Sequence, residues 1–191
     1  MRKIIMLLLA RVIFIPAAVS AYEVKYEFWL VQPHGGIAYP IGDVDNYVDF
    51  GFNGGVSVRK GFDVEISAGG SVNYILLPYK DPDAPGPFSA TVFAGEVVYA
   101  PYMPDFFIWP YVKGALGLFL IQYSRTNALD EDEHAEATSF GFMIGGGANY
   151  PISNEIAANF EVMFNQVSLE GGTSDNYTFF TFNAGVTIYL K

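Results

Sequence analysis

From Phe180 to Leu190 the chain alternates with a period of two residues. Phe180, Phe182, Ala184, Val186, Ile188 and Leu190 fall on one side, and Thr181, Asn183, Gly185, Thr187 and Tyr189 on the other. Side chains alternate faces along a β-strand, so this segment has one continuously apolar face and one small or polar face. A helix, with 3.6 residues per turn, would scatter both sets around its axis. The strand must therefore separate two environments.

The pattern recurs upstream. Alternating segments at 26–39, 48–59, 63–77, 89–101, 108–123, 138–150, 154–168 and 177–190 are separated by turn-rich stretches. Regularly spaced strands with no competing helical periodicity predict an all-β fold, an eight-stranded antiparallel up-and-down barrel. Each strand is long enough to cross a bilayer at a tilt, which takes about 9–11 residues. Connections near 40–47, 78–88, 124–137 and 169–176 are the longer ones. Those near 60–62, 102–107 and 151–153 are short and carry Lys60-Gly61, Pro104-Asp105 and Pro151. Membrane barrels put short turns on the periplasmic side and long loops outside, and this order fits that rule.

Volume decides which face is inside. Phe50, Phe52, Val56, Val58, Val72, Tyr74, Leu116, Leu118, Phe140, Phe142, Phe160, Val162 and Phe164 form the bulky face. Gly51, Asn53, Gly55, Ser57, Ser67, Ser71, Asn73, Ser139, Gly141, Gly145 and Asn149 form the small one. An eight-stranded barrel has an interior just wide enough to be filled by side chains, so the small face is expected inward and the bulky face toward lipid. A soluble lipocalin-like binding protein would need the reverse. Aromatics near strand ends (Tyr39, Tyr47, Tyr79, Tyr99, Tyr102, Trp109, Tyr111, Tyr123, Tyr150 and Tyr177) suit the two membrane interfaces.

Residues 1–21 read as a cleaved signal peptide, with 22–191 as the barrel domain. Arg2 and Lys3 precede the apolar stretches Ile4–Ala10 and Val12–Ile15, and Val19-Ser20-Ala21 offers small residues for cleavage. Arg11 interrupts the apolar region, and a start at Met6 would move it into the basic region. The formal net charge is −10, and loss of the leader's three basic residues makes the remainder more acidic. Nucleic-acid binding needs a positive footprint, so no such partner is expected. The sequence has no cysteine, which removes disulfides and thiolate metal sites.

Together, Pro110-Tyr111-Val112-Lys113-Gly114-Ala115-Leu116-Gly117, Gly145-Gly146-Gly147-Ala148-Asn149-Tyr150 and the final strand resemble the small outer-membrane β-barrels, the OmpA-like and opacity-type eight-stranded group. The last strand also resembles the C-terminal signal by which such barrels are recognised for insertion, here through Asn183, Gly185, Ile188 and Leu190. It departs from that signal by ending on Leu190-Lys191 rather than on an aromatic residue. The resemblance implies an outer-membrane location in a Gram-negative-type cell. The implied partners are outer-membrane lipid, lipopolysaccharide, the barrel-assembly machinery and an unnamed extracellular partner. Barrels of this group serve as anchors, surface antigens, adhesins or narrow channels.

Two groups of residues are candidate sites. Arg59, Glu65, Glu96, Lys113 and Glu161 are ionisable residues on the small face. Buried charges must be paired, so they are expected to form an interior polar network that fills the lumen rather than a selectivity site. Symmetry about Pro104-Asp105 places Glu96 opposite Lys113. The second group is the acidic run Asp130, Glu131, Asp132, Glu133 and Glu136, read as an external loop without EF-hand ligand spacing. No metal or cofactor is expected. Catalysis is not expected either, because neither His34 nor His134 lies in a His-x-Ser pattern, although a scattered triad has no local signature. The reading is a non-enzymatic structural or surface protein. The alternatives are a narrow passive porin-like channel and, more remotely, a lipid-modifying enzyme.

Overall fold

The computed structural model describes residues 28–81, 87–103, 106–126, 132–168 and 176–190. Eight strands close into a barrel: β1 (Trp29–Ile41), β2 (Gly51–Gly61), β3 (Ile66–Leu77), β4 (Phe88–Tyr99), β5 (Trp109–Thr126), β6 (Asp132–Pro151), β7 (Ile156–Ser168) and β8 (Asn176–Leu190). Each strand pairs antiparallel with its chain neighbours, and β1 closes the sheet against β8. Closure leaves no sheet edge through the barrel wall, which is the condition for a strand-built structure in lipid.

At one end, which also carries the first and last strand termini, the connections are 62–65, 100–108 and 152–155. This is the turn end. The first and last of these are tight: Phe62 N donates to Ile66 O at 2.9 Å, and Ile152 N to Ile156 O at 2.9 Å. At the opposite, loop end the connections are 42–50, 78–87, 127–131 and 169–175. The first contains a 3₁₀ turn, Gly42–Asn46, entered by Gly42 at φ 75, a left-handed backbone that glycine adopts without a Cβ penalty.

Two expectations about connections need correction. The 124–137 segment is not a long loop, because β5 runs to Thr126 and β6 starts at Asp132, pairing Thr126 with Asp132 and Gln122 with Glu136. Conversely, the β4–β5 connection spans 100–108 and is no shorter than the 42–50 loop.

Bulky residues face outward, with Phe140 75% and Leu116 71% exposed. The lipocalin arrangement is thereby reversed. The inward face is not uniformly polar, however. At the turn end it carries Gln32, Ser57, Arg59, Glu96, Lys113, Asn149, Asn159 and Glu161, all buried. Toward the loop end it becomes an apolar core of Ile75, Leu77, Phe88, Val92, Phe119, Ile121, Val167 and Phe179, topped by Val44 and Val48 from the first loop. The aromatics divide similarly. Tyr39, Tyr47, Tyr99, Tyr102 and Tyr150 are exposed, but Tyr111 is buried inside, and Tyr79, Tyr123 and Tyr177 pack against the inner core. Tyr111 shares the parity of Lys113 on β5 and must face inward with it.

Candidate functional site

The lumen at the turn end holds four buried charges on four strands. Lys113 Nζ lies 2.6 Å from Glu161 Oε2 and 3.7 Å from Glu96 Oε2, and Arg59 Nε lies 3.5 Å from Glu96 Oε1. Every one of these side chains is at most 6% exposed. Glycine makes the approach possible. Gly69 stands between Arg59 and Glu96 in the strand register, and a Cβ there would meet Arg59 Cα at 2.6 Å. Gly147 stands between Tyr111 and Glu161, and a Cβ there would meet the Tyr111 hydroxyl at 2.6 Å. Polar side chains on next-but-one strands thus reach each other over a bare backbone.

Neutral side chains complete a circuit. Arg59 Nη2 donates to Gln32 Oε1. Gln32 Nε2 donates to Asn159 Oδ1 at 2.9 Å, and Asn159 Nδ2 donates to Tyr111 Oη at 2.9 Å. The Tyr111 hydroxyl donates to Glu161 Oε2 at 2.9 Å, and Glu161 returns through Lys113 and Glu96 to Arg59. Asn149 Oδ1 ties in from the side, accepting from Asn159 at 3.0 Å and Thr187 at 2.8 Å. Two cations balance two carboxylates, so the group is neutral as a whole. Arg59 Nε and Glu96 Oε1 have no hydrogen-bond partner; their 3.5 Å contact is Coulombic only.

Voids lie on both sides of this circuit. Toward the loop end a space of about 30 Å³ is bordered by His34, Asn53, Glu96, Lys113 and Asn183. Beyond it lies the apolar core. Toward the turn end a vestibule of about 400 Å³ opens, with Arg59, Tyr111 and Asn149 in its lining. Among the described residues no group of three or more His, Asp or Glu is placed to hold a metal ion.

A closed, antiparallel, eight-stranded barrel is the fold that the comparisons also return. Neisserial surface protein A matches with a TM-score of 0.59 at 15% identity, over 84% of this chain and 96% of that one. The chain has the fold of the eight-stranded outer-membrane barrels. OprG of Pseudomonas aeruginosa gives a TM-score of 0.53 at 10% identity, covering 86% of this chain and 96% of that one. Ail, the attachment invasion locus protein of Yersinia pestis, gives 0.52 at 13%, covering 86% and 98%. No family model matches the sequence, and no curated protein matches it significantly.

Within this outer-membrane-type barrel, Arg59, Glu96, Lys113 and Glu161 come together and Glu65 does not. Strand β3 begins at Ile66, so Glu65 lies in the 62–65 turn, where its Oε1 accepts from Tyr102 N at 3.1 Å. Glu96 is not opposite Lys113. The register pairs Glu96 with Ala115 and Val98 with Lys113, because the ladder is centred one residue beyond Pro104-Asp105. Lys113 reaches Glu96 diagonally, and its nearer partner is Glu161.

The sequence reading missed Gln32, Tyr111, Asn149 and Asn159 as parts of the circuit. Strand parity with Lys113 and Glu161 was the signal available for Tyr111 and Asn159. On β8, Asn183 faces inward, with Nδ2 donating to Glu161 Oε1 at 3.4 Å; Gly185 sits beside His34, and Leu190 faces out. In the acidic run, Asp130 and Glu131 lie outside the described residues. The backbone of Asp132 and Glu133 belongs to β6, and Glu136 Oε1 accepts from Gln122 Nε2 at 3.2 Å. Residues 1–21 also lie outside the described residues.

Proposed function

We propose that the protein is an integral outer-membrane barrel with a closed lumen and a non-enzymatic structural or surface-interaction role. The observation that carries this reading is the circuit of buried charges crossing the lumen, with an apolar core filling the other half. A charge-paired plug offers an ion no continuous aqueous path, and the core beyond it offers no polar partners. In this reading residues 1–21 are an export signal, the turn end faces the periplasm and the loop end faces outside. The outward apolar belt meets lipid, the loop-end rim meets lipopolysaccharide, and the last strand is read by the assembly machinery. Any extracellular partner would meet the loop end. His34 supports the non-enzymatic reading, because both ring nitrogens already have partners: Nδ1 with Gln32 O at 3.2 Å and Nε2 with Asn73 Oδ1 at 2.8 Å.

The test is conductance of the refolded chain in planar bilayers, alongside fractionation and a heat-modifiability gel. The expected result is a heat-modifiable outer-membrane species with no steady conductance. Persistent single-channel openings would favour the narrow passive channel instead, and lipid hydrolysis would favour an enzyme.

A further inference from the structure

The vestibule at the turn end has no role in the reading above. Its volume of about 400 Å³ falls in the range of small-molecule sites, roughly 300–1,000 Å³. Its inner wall is largely apolar and aromatic, with Leu30, Val98, Trp109 and Tyr189. Arg59, the one basic group among the described residues of its lining, is committed to Gln32 and Glu96 and is poorly placed to hold a second anion. Asp63 and Glu65, both from the β2–β3 turn, also line the cavity. Asp63 Oδ1 accepts from Val64 N at 2.6 Å and Glu65 Oε1 from Tyr102 N at 3.1 Å. The Tyr99 hydroxyl also bonds to the Glu65 carboxylate; a carboxylate offers about four acceptor sites, so both acids keep capacity for another donor. An apolar interior with two acids in the flanking turn is complementary to a molecule with an apolar body and a single positive head.

We propose that this vestibule binds a small amphiphilic amine, with its apolar body against Leu30, Val98, Trp109 and Tyr189 and its ammonium between Asp63 and Glu65. The site needs only the barrel geometry; that it opens to the periplasm rests on the outer-membrane reading. A binding assay in detergent does not depend on that reading, so the two can fail separately.

The chain has two tryptophans, and Trp29 is half-exposed on the outer face. In the Trp29→Phe chain, Trp109 alone reports on the vestibule. The probes are 2-phenylethylamine, the neutral 2-phenylethanol and the anionic 3-phenylpropanoate. The amine is expected to change Trp109 emission saturably, with the alcohol about tenfold weaker and the carboxylate weaker still. Asp63→Asn with Glu65→Gln retains both turn acceptors and should reduce amine affinity to that of the alcohol. Val98→Phe should fill the space and weaken all three probes. Equal binding of amine and carboxylate would overturn the proposal, as would no saturation, no effect of the turn variants, or amine binding only after removal of residues 22–27.

Discussion

The two halves of the lumen are built from the same inward strand positions and filled by opposite chemistry. At the turn end, Arg59, Glu96, Lys113 and Glu161 are buried and mutually paired. At the loop end, Leu77, Val92, Phe119, Ile121 and Phe179 form an apolar core. The outward face changes in the opposite sense. Beside the charged half it carries Val97, Val112, Ile144, Phe160 and Val162, all exposed. Around the far end of the apolar half it carries Gln122, Glu136, Gln166 and Thr178, facing away from the lumen by strand parity. The barrel is thus inside-out over the belt proposed to meet lipid and has the polarity of a water-soluble protein where its strands extend beyond. The environment outside sets the outer face. Inside, ionic pairing and apolar packing are two ways of filling one narrow space.

The contrast is broken most strongly at Lys113. Lys113→Met leaves Glu161 and Glu96 without their shared cation, and removing one partner of a buried pair costs about 3–5 kcal/mol. Urea unfolding in lipid should show this loss, with a smaller one when Glu161→Gln is added. Additive effects would remove the Lys113–Glu161 coupling from the account. That coupling should exceed the one between Lys113 and Glu96, given 2.6 Å against 3.7 Å. In the other half, Ile121→Ala opens a cavity in a packed core, at a cost of about 2–5 kcal/mol. The same unfolding assay reads it, and because no charge is released the lumen should stay non-conducting.

The outer face gives two smaller predictions on one strand. Val162→Arg places a charge in the apolar belt and should destabilise insertion by about 2–4 kcal/mol, measured by folding into vesicles. Gln166→Arg, four residues nearer the loop end on the same face, should change it by about 0–1 kcal/mol. Equal effects would place the lipid boundary elsewhere.

What the sequence made legible follows this division. Strand number, order and the outward face could be read wherever bulky and small residues alternate, as from Phe180 to Leu190. The apolar half of the lumen could not. From Leu116 to Ile121 strand β5 is apolar on both faces apart from Gly117, and a period-two pattern vanishes when core and exterior are both apolar. The charged residues could be read as inward from parity, but their partners depended on register. Register depends on the 100–108 connection, whose turn is not centred where Pro104-Asp105 suggested. Glu65 has the inward parity of Ser67 yet falls one residue before β3 begins, and a strand boundary of that precision is not written in the residues themselves.

The most direct test of the polarity switch is a single-cysteine spin-label scan along β7 in bilayers, from residue 158 to 168, feasible because the sequence has no native cysteine. Collision with oxygen in lipid should peak at 160, 162 and 164. Collision with an aqueous relaxant should peak at 166 and 168, and 161, 163, 165 and 167 should be shielded from both. Oxygen maxima at 161, 163 and 165, or aqueous access along the whole outward row, would contradict the account.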